Sequence, residues 1–278
     1  MSQSRNSWIV KVLLVFSILA FMAVSALPMI TNFMESSADG GSAQANGKAA
    51  DDAIAKLKDE ARGYELVLQR EPDNENVLKG LLEARLRLLS LNQGSVNDVI
   101  MPLERLVKVN PNQVKYAVLL AQAKEKIGDR EEAAKILRTV LETKPGDMDA
   151  LQSMVTLQLN QQRPEAAIGI LQDTLGKAPQ ANKIQPGSID TVGVQVLLGN
   201  VHASQKRYEK AFEIYDQAAK DDPKDFRPLW AKALVLKEQG KIEEAKPLFS
   251  NAAALAPAQF KDEINKTATS TPSPTTTP

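Results

Sequence analysis

The sequence predicts an all-α fold, a solenoid of stacked helix-turn-helix repeats. Two observations lead there. Prolines that close amphipathic stretches keep a fixed interval: Pro111 to Pro145, Pro145 to Pro179 and Pro223 to Pro257 each span 34 residues. One phrase also returns at that interval. Gly128-Asp129-Arg130-Glu131-Glu132-Ala133-Ala134 is echoed by Gln162-Arg163-Pro164-Glu165-Ala166-Ala167, Lys206-Arg207-Tyr208-Glu209-Lys210-Ala211 and Gly240-Lys241-Ile242-Glu243-Glu244-Ala245. Self-similarity of this length marks an array of small units, each burying its apolar side against its neighbours.

Taken in order, the chain opens on an apolar segment. Residues 12–30 carry no charged side chain over 19 residues, close to the ~20 a helix needs to cross a hydrocarbon core. They read as a transmembrane anchor within 1–34, with Trp8 at the interface. The competing reading is a cleaved secretory signal, with small residues at Val24-Ser25-Ala26 and a helix-breaking Pro28. Arg5 and Lys11 precede the span and the next basic residue is Lys48, which places the N-terminus in the cytoplasm and the repeats across the membrane. A single-pass membrane protein is therefore expected. Residues 35–50 are small and polar and read as a flexible linker.

Residues 51–266 form the repeat domain. Asp51–Arg70 carries Ile54, Leu57, Ala61, Tyr64, Val67 and Leu68 on one side and reads as an N-terminal cap helix before Pro72. Repeats follow at about 75–111, 114–147, 148–181, 192–225 and 226–259, and a capping helix starts near Ala258 and runs to 266. The 44 residues from Pro179 to Pro223 exceed the period by ten. That surplus is assigned to a loop at 180–190 around Pro186-Gly187. Residues 267–278 are rich in Thr, Ser and Pro and read as a disordered tail.

Composition narrows function. Thirty-four basic side chains balance 34 acidic ones, so there is no global pull toward nucleic acid and none is expected as a partner. The chain has no cysteine and one histidine, His202, which leaves no thiol nucleophile and no multi-histidine metal cluster. No phosphate-binding loop or nucleophile–base pair is visible. The expectation is a protein that is not an enzyme, with no metal, no cofactor and no small-molecule substrate. His202 reads as a packing residue.

The small residues of the repeats carry a resemblance to the tetratricopeptide repeat, a unit of 34 residues. Counting back from each closing proline, Ala121, Gly199 and Ala233 fall where this family brings two helices close, with Val155 as a departure. Ala133, Ala167, Ala211 and Ala245 fall at its second close-packing point. The resemblance implies a right-handed superhelix in which Ala121, Ala133, Gly199, Ala211, Ala233 and Ala245 pack the repeats. It also implies that the first helix of each unit lines a groove for a partner protein.

By the same resemblance the groove carries Lys79 and Arg87, then Lys115, Val118, Gln122 and Lys126, then Gln152 and Asn160, then Asn200, and finally Arg227, Trp230, Lys237 and Glu238. Its N-terminal half is the more basic, which favours an acidic segment or a terminal carboxylate. Trp230 is the expected aromatic anchor. The order of span, tether and repeats, with Glu71-Pro72-Asp73-Asn74 leading into the first repeat, is similar to the cyanobacterial and chloroplast proteins of the Pitt and SLOW GREEN type. That implies a membrane-held scaffold in thylakoid biogenesis, on a thylakoid or plasma membrane, with protochlorophyllide reductase or photosystem assembly factors as partners. A periplasm-facing assembly or quality-control factor for envelope or cytochrome proteins is the alternative, and it fits the charge-derived orientation.

Overall fold

A computed structural model describes residues 43–270, with side chains from residue 51. The expected span at 12–30 and the tail from 271 lie outside these residues. Among the described residues there are twelve helices and no strand. They are α1 Ala43–Arg70, α2 Glu75–Ser90, α3 Val96–Val109, α4 Val114–Lys126, α5 Arg130–Thr143 and α6 Met148–Asn160. Then come α7 Pro164–Ile184, α8 Thr191–Ser204, α9 Tyr208–Asp221, α10 Arg227–Glu238, α11 Ile242–Leu255 and α12 Ala258–Thr269.

Several expectations are corrected. Among the described residues no helix is long and apolar enough to cross a membrane, so the expected single-pass membrane placement is overturned on this finding. The two longest helices, α1 and α7, carry charged side chains along their length. The stretch read as linker to residue 50 is helical from Ala43. Helix α7 does not stop at Pro179 but continues through it to Ile184, and α12 continues to Thr269 rather than 266.

The chain forms two compact units, the first reaching Val140 and the second starting at Leu141. In the first, the apolar side of α1 lies on α2, and Tyr64 crosses at Gly80, where an added Cβ would sit 2.5 Å from the ring. Leu78, Leu81, Leu103 and Leu106 fill the interior beneath them. Asn74 caps α2 by accepting from the Val77 N–H, and Ser95 with Asp98 makes a capping box for α3, supplying partners that a helix start lacks. Arg85 ties three helices, pairing with Glu65 at 2.6 Å and donating to the Asp98 carbonyl.

In the second unit the ten-residue surplus is an ordered structure. The Asn182 side chain donates to the Ile189 carbonyl at 2.9 Å and accepts from the Ile189 N–H at 2.9 Å and the Ser188 hydroxyl at 3.1 Å. The turn so closed lies against Gly146, where a Cβ would meet the Ser188 carbonyl at 2.2 Å. At the other end Phe226 stacks between Trp230 and Phe260, with ring centroids 5.8 Å and 5.3 Å away, and so ties α10 to α12.

One conformation recurs between the two helices of every repeat. Asn92, Gly128, Gln162, Lys206 and Gly240 all have φ between 56° and 91°, the left-handed region that ends a helix and turns the chain back. Only two of the five are glycine.

Candidate protein-binding face

The packing residues set the stage for the face. Ala121, Ala133, Gly199, Ala211, Ala233 and Ala245 are all buried, which lets neighbouring helices approach closely. Side chains of the first helices that point away from this interior make the candidate face.

In the first unit that face is polar and accessible. Lys79 is half-buried and pairs with Glu75 one turn before it, a hydrogen bond that raises the ammonium above its ordinary value. Arg87 pairs with Glu83 at 2.6 Å, and both are exposed. Lys115, Gln122 and Lys126 are exposed along α4, with the Lys115 ammonium 4.9 Å from the Tyr116 ring centroid. Such exposed i,i+4 pairs contribute little, so an incoming carboxylate exchanges with them at little cost. Val118 is different. At 6% exposure it is buried and does not belong to the accessible face.

The second unit corrects more of the expectation. Gln152 and Asn160 are half-buried. Trp230, expected as an exposed anchor, is 6% exposed, its ring packed beside Phe226. Arg227 is taken up locally: it chelates Asp190 at the start of α8 and Asp225 just before its own helix, with Nη2 2.9 Å from Asp190 Oδ1 and 2.6 Å from Asp225 Oδ2. Burial opposes the guanidinium charge, but the two carboxylates outweigh it and raise its pKa. Burial likewise works upward on Asp190, yet Arg227 and the Gly193 N–H hold it below the ordinary carboxylate value.

Asn200 is also inside, at 9% exposure, where its Oδ1 accepts from the Tyr215 hydroxyl at 2.6 Å. Burial, with the Glu238 charge second, pushes the Tyr215 phenol well up. Lys237 is buried and reaches across to the end of α12, donating to the Thr267 carbonyl and, at 2.8 Å, to Ser270 Oγ. Burial lowers its pKa. His202 is 7% exposed with Nδ1 unpaired, and burial first and the Arg207 charge second depress its pKa. Among the described residues no group of three His, Cys, Asp or Glu side chains is placed to hold a metal.

Models of the tetratricopeptide repeat match residues 126–185 and 192–226. The chain is 26% identical over 197 residues to protein SLOW GREEN 1, chloroplastic, of Arabidopsis thaliana, covering 71% of this chain and 60% of that protein. It is 31% identical over 120 residues to the human interferon-induced protein with tetratricopeptide repeats 2, covering 42% of this chain and 25% of the relative. The chain thus spans less than two thirds of either relative's length. A solved tetratricopeptide-repeat protein of Thermus thermophilus aligns with a TM-score of 0.41 and 19% identity, over 68% of this chain and 98% of that one. The repeat fold points to protein binding, and over residues 126–185 and 192–226 this chain carries tetratricopeptide repeats.

Proposed function

We propose that the chain is a non-catalytic adaptor that holds a segment of a partner protein on the first-helix side of its repeats. Its work is the assembly or stabilisation of photosynthetic proteins, with a pigment-synthesis enzyme such as protochlorophyllide reductase or a photosystem assembly factor as partner. The observation that carries the reading is the contrast along α2 and α4. Their apolar sides are closed into the interior, while Lys79, Arg87, Lys115, Gln122 and Lys126 stay half-exposed or exposed on side chains that packing does not need. The similarity to a chloroplastic relative supports the photosynthetic setting. Net positive side chains on this row suit an acidic segment.

The test is capture of purified protochlorophyllide reductase, and separately of photosystem assembly factors, by the full chain and by its Lys115→Glu/Lys126→Glu double variant. Charge reversal should weaken capture about ten-fold or more, since like charges meet where opposite ones did. Failure to capture any of them, or equal capture by the variant, overturns the reading.

A further inference from the structure

Helix α1 has a face that nothing in its own unit covers. Ala61, Tyr64 and Leu68 commit one side of the helix to the interior of the first unit. Leu66 and Val67 stay 58% and 41% exposed, although the sequence groups Val67 with the buried side. Tyr64 lies at Gly80 and Glu65 pairs with Arg85, so α2 packs on the later part of α1. With 28 residues against 16, about 42 Å against 24 Å, the beginning of α1 outruns its neighbour.

A regular seam runs along the uncovered face. Ala53, Lys56, Glu60, Gly63 and Val67 follow at steps of three and four, the spacing that keeps a row turned toward a second helix. All five are exposed. Gly63 stands in mid-helix, where glycine is a poor choice, and a Cβ there would meet nothing within 4 Å. Its own unit gives no reason for it, whereas a helix arriving from outside can come close there. The ion pairs made by α1 among the described residues, Asp59 with Arg62 and Glu65 with Arg85, leave Lys56 and Glu60 out.

Those two charges select the occupant. A second copy of α1, laid antiparallel about a two-fold axis midway between them, sets Lys56 opposite the partner's Glu60 and Glu60 opposite the partner's Lys56. Four charges then alternate in sign around the axis. The same axis sets Ala53 against the partner's Gly63 and lays Leu66 and Val67 under the first turns of the partner's α1. Asp59 meets its own copy on the flank, but Arg62 stands 3.5 Å from it. A parallel pair would stack lysine on lysine and glutamate on glutamate, and a segment of one charge would satisfy one side chain and oppose the other.

We propose that α1 is a self-association helix, through which two copies of the chain join antiparallel, with Lys56 and Glu60 setting register and direction. This goes beyond the adaptor reading and does not depend on it. The pair carries the row of Lys79, Arg87, Lys115 and Lys126 twice, which strengthens the hold on a partner with two matching segments. One helix per copy is a small interface, so association is weak and depends on concentration.

Sedimentation of the full chain from about 1 to 200 μM should move toward twice the monomer mass. Lys56→Glu and Glu60→Lys should each weaken association about ten-fold, and the Lys56→Glu/Glu60→Lys double variant should restore it. The chain has no cysteine, so direction can be read by cross-linking. Ala53→Cys chains mixed with Gly63→Cys chains should form a disulfide under oxidised glutathione about ten-fold faster than either variant with itself, because like positions lie about 15 Å apart across the axis. A monomer at every concentration overturns the proposal, whether the face stays bare or is covered by residues before 43 or by another protein. So does association that ignores the single charge reversals, a double variant that fails to regain it, or like positions that cross-link as fast as the mixed pair.

Discussion

Gly199 leaves the space that the ring of Tyr215 fills. A Cβ placed on Gly199 would lie 2.3 Å from Tyr215 Cε1, closer than any carbon contact allows, and the ring is 1% exposed with no route outward. The small residue is what lets α8 and α9 close on each other.

Gly199→Ala is therefore expected to destabilise the second unit by about 2–3 kcal/mol through overpacking, measured by urea denaturation. Tyr215→Phe keeps the packing and deletes only the donor to Asn200, so its cost should be smaller, about 1–2 kcal/mol. The reverse ranking would mean that the hydroxyl, and not the close approach, holds this pair of helices.

His202 predicts an acid-sensitive unit. Its pKa is depressed in the folded chain, by burial first and Arg207 second, while Glu165 pulls it upward and Lys210 adds to the depression. A depressed group contributes stability that is present above its unfolded value of 6.5 and lost as pH falls through the lower folded one. Thermal scans across pH should show the second unit weakening below pH 6.5. His202→Leu should flatten that part of the curve; an unchanged acid limb in the variant would assign the loss to other groups.

The left-handed turns offer a gain. Lys206 and Gln162 each hold φ at 60° with a full side chain. Left-handed backbone costs an L-residue about 1–2 kcal/mol, while glycine's extra freedom in the unfolded chain returns part of the difference. Lys206→Gly should raise stability by roughly 0.5–1 kcal/mol. A drop in Tm would show that the Lys206 side chain contributes more than its backbone strain costs.

Asn182→Ala removes all three hydrogen bonds that close the 185–189 turn. The main-chain groups of Ile189 lose their partners, at about 1–2 kcal/mol. Amide exchange should quicken at residues 188 and 189 while α8 and α9 keep their protection. Loss of protection throughout the unit would make the turn part of the core.

Repeat period and helix limits were legible because they follow from local chemistry. Pro111, Pro145, Pro223 and Pro257 each stand two residues past a helix end, as a residue without an N–H should. Pro179 misled for a long-range reason: the Asn182 clasp on the far side stabilises further helical turns that the proline alone would have stopped. Side-chain direction was less legible. Val118 and Trp230 occupy face positions in the repeat register, yet both are buried. Arg227 read as a free cation because one of its carboxylates, Asp190, lies 37 residues away. The turns at Gln162 and Lys206 gave no signal at all, their residue types being unusual for left-handed backbone.

The Asn182 clasp also separates two lengths that a repeat protein usually keeps equal. Contour along the chain grows by ten residues between Pro179 and Pro223, while the pairing of α8 with α9 keeps the geometry of an ordinary repeat. The added contour closes back on Asn182 and rests against Gly146, with Ile189 buried beneath it. Only the exposed tip of the turn, away from Ile189 and Asp190, is free of contacts to the helices that follow. Evolution or an engineer can lengthen the chain at Gly187, whose surroundings are open, without re-indexing a single helix pair.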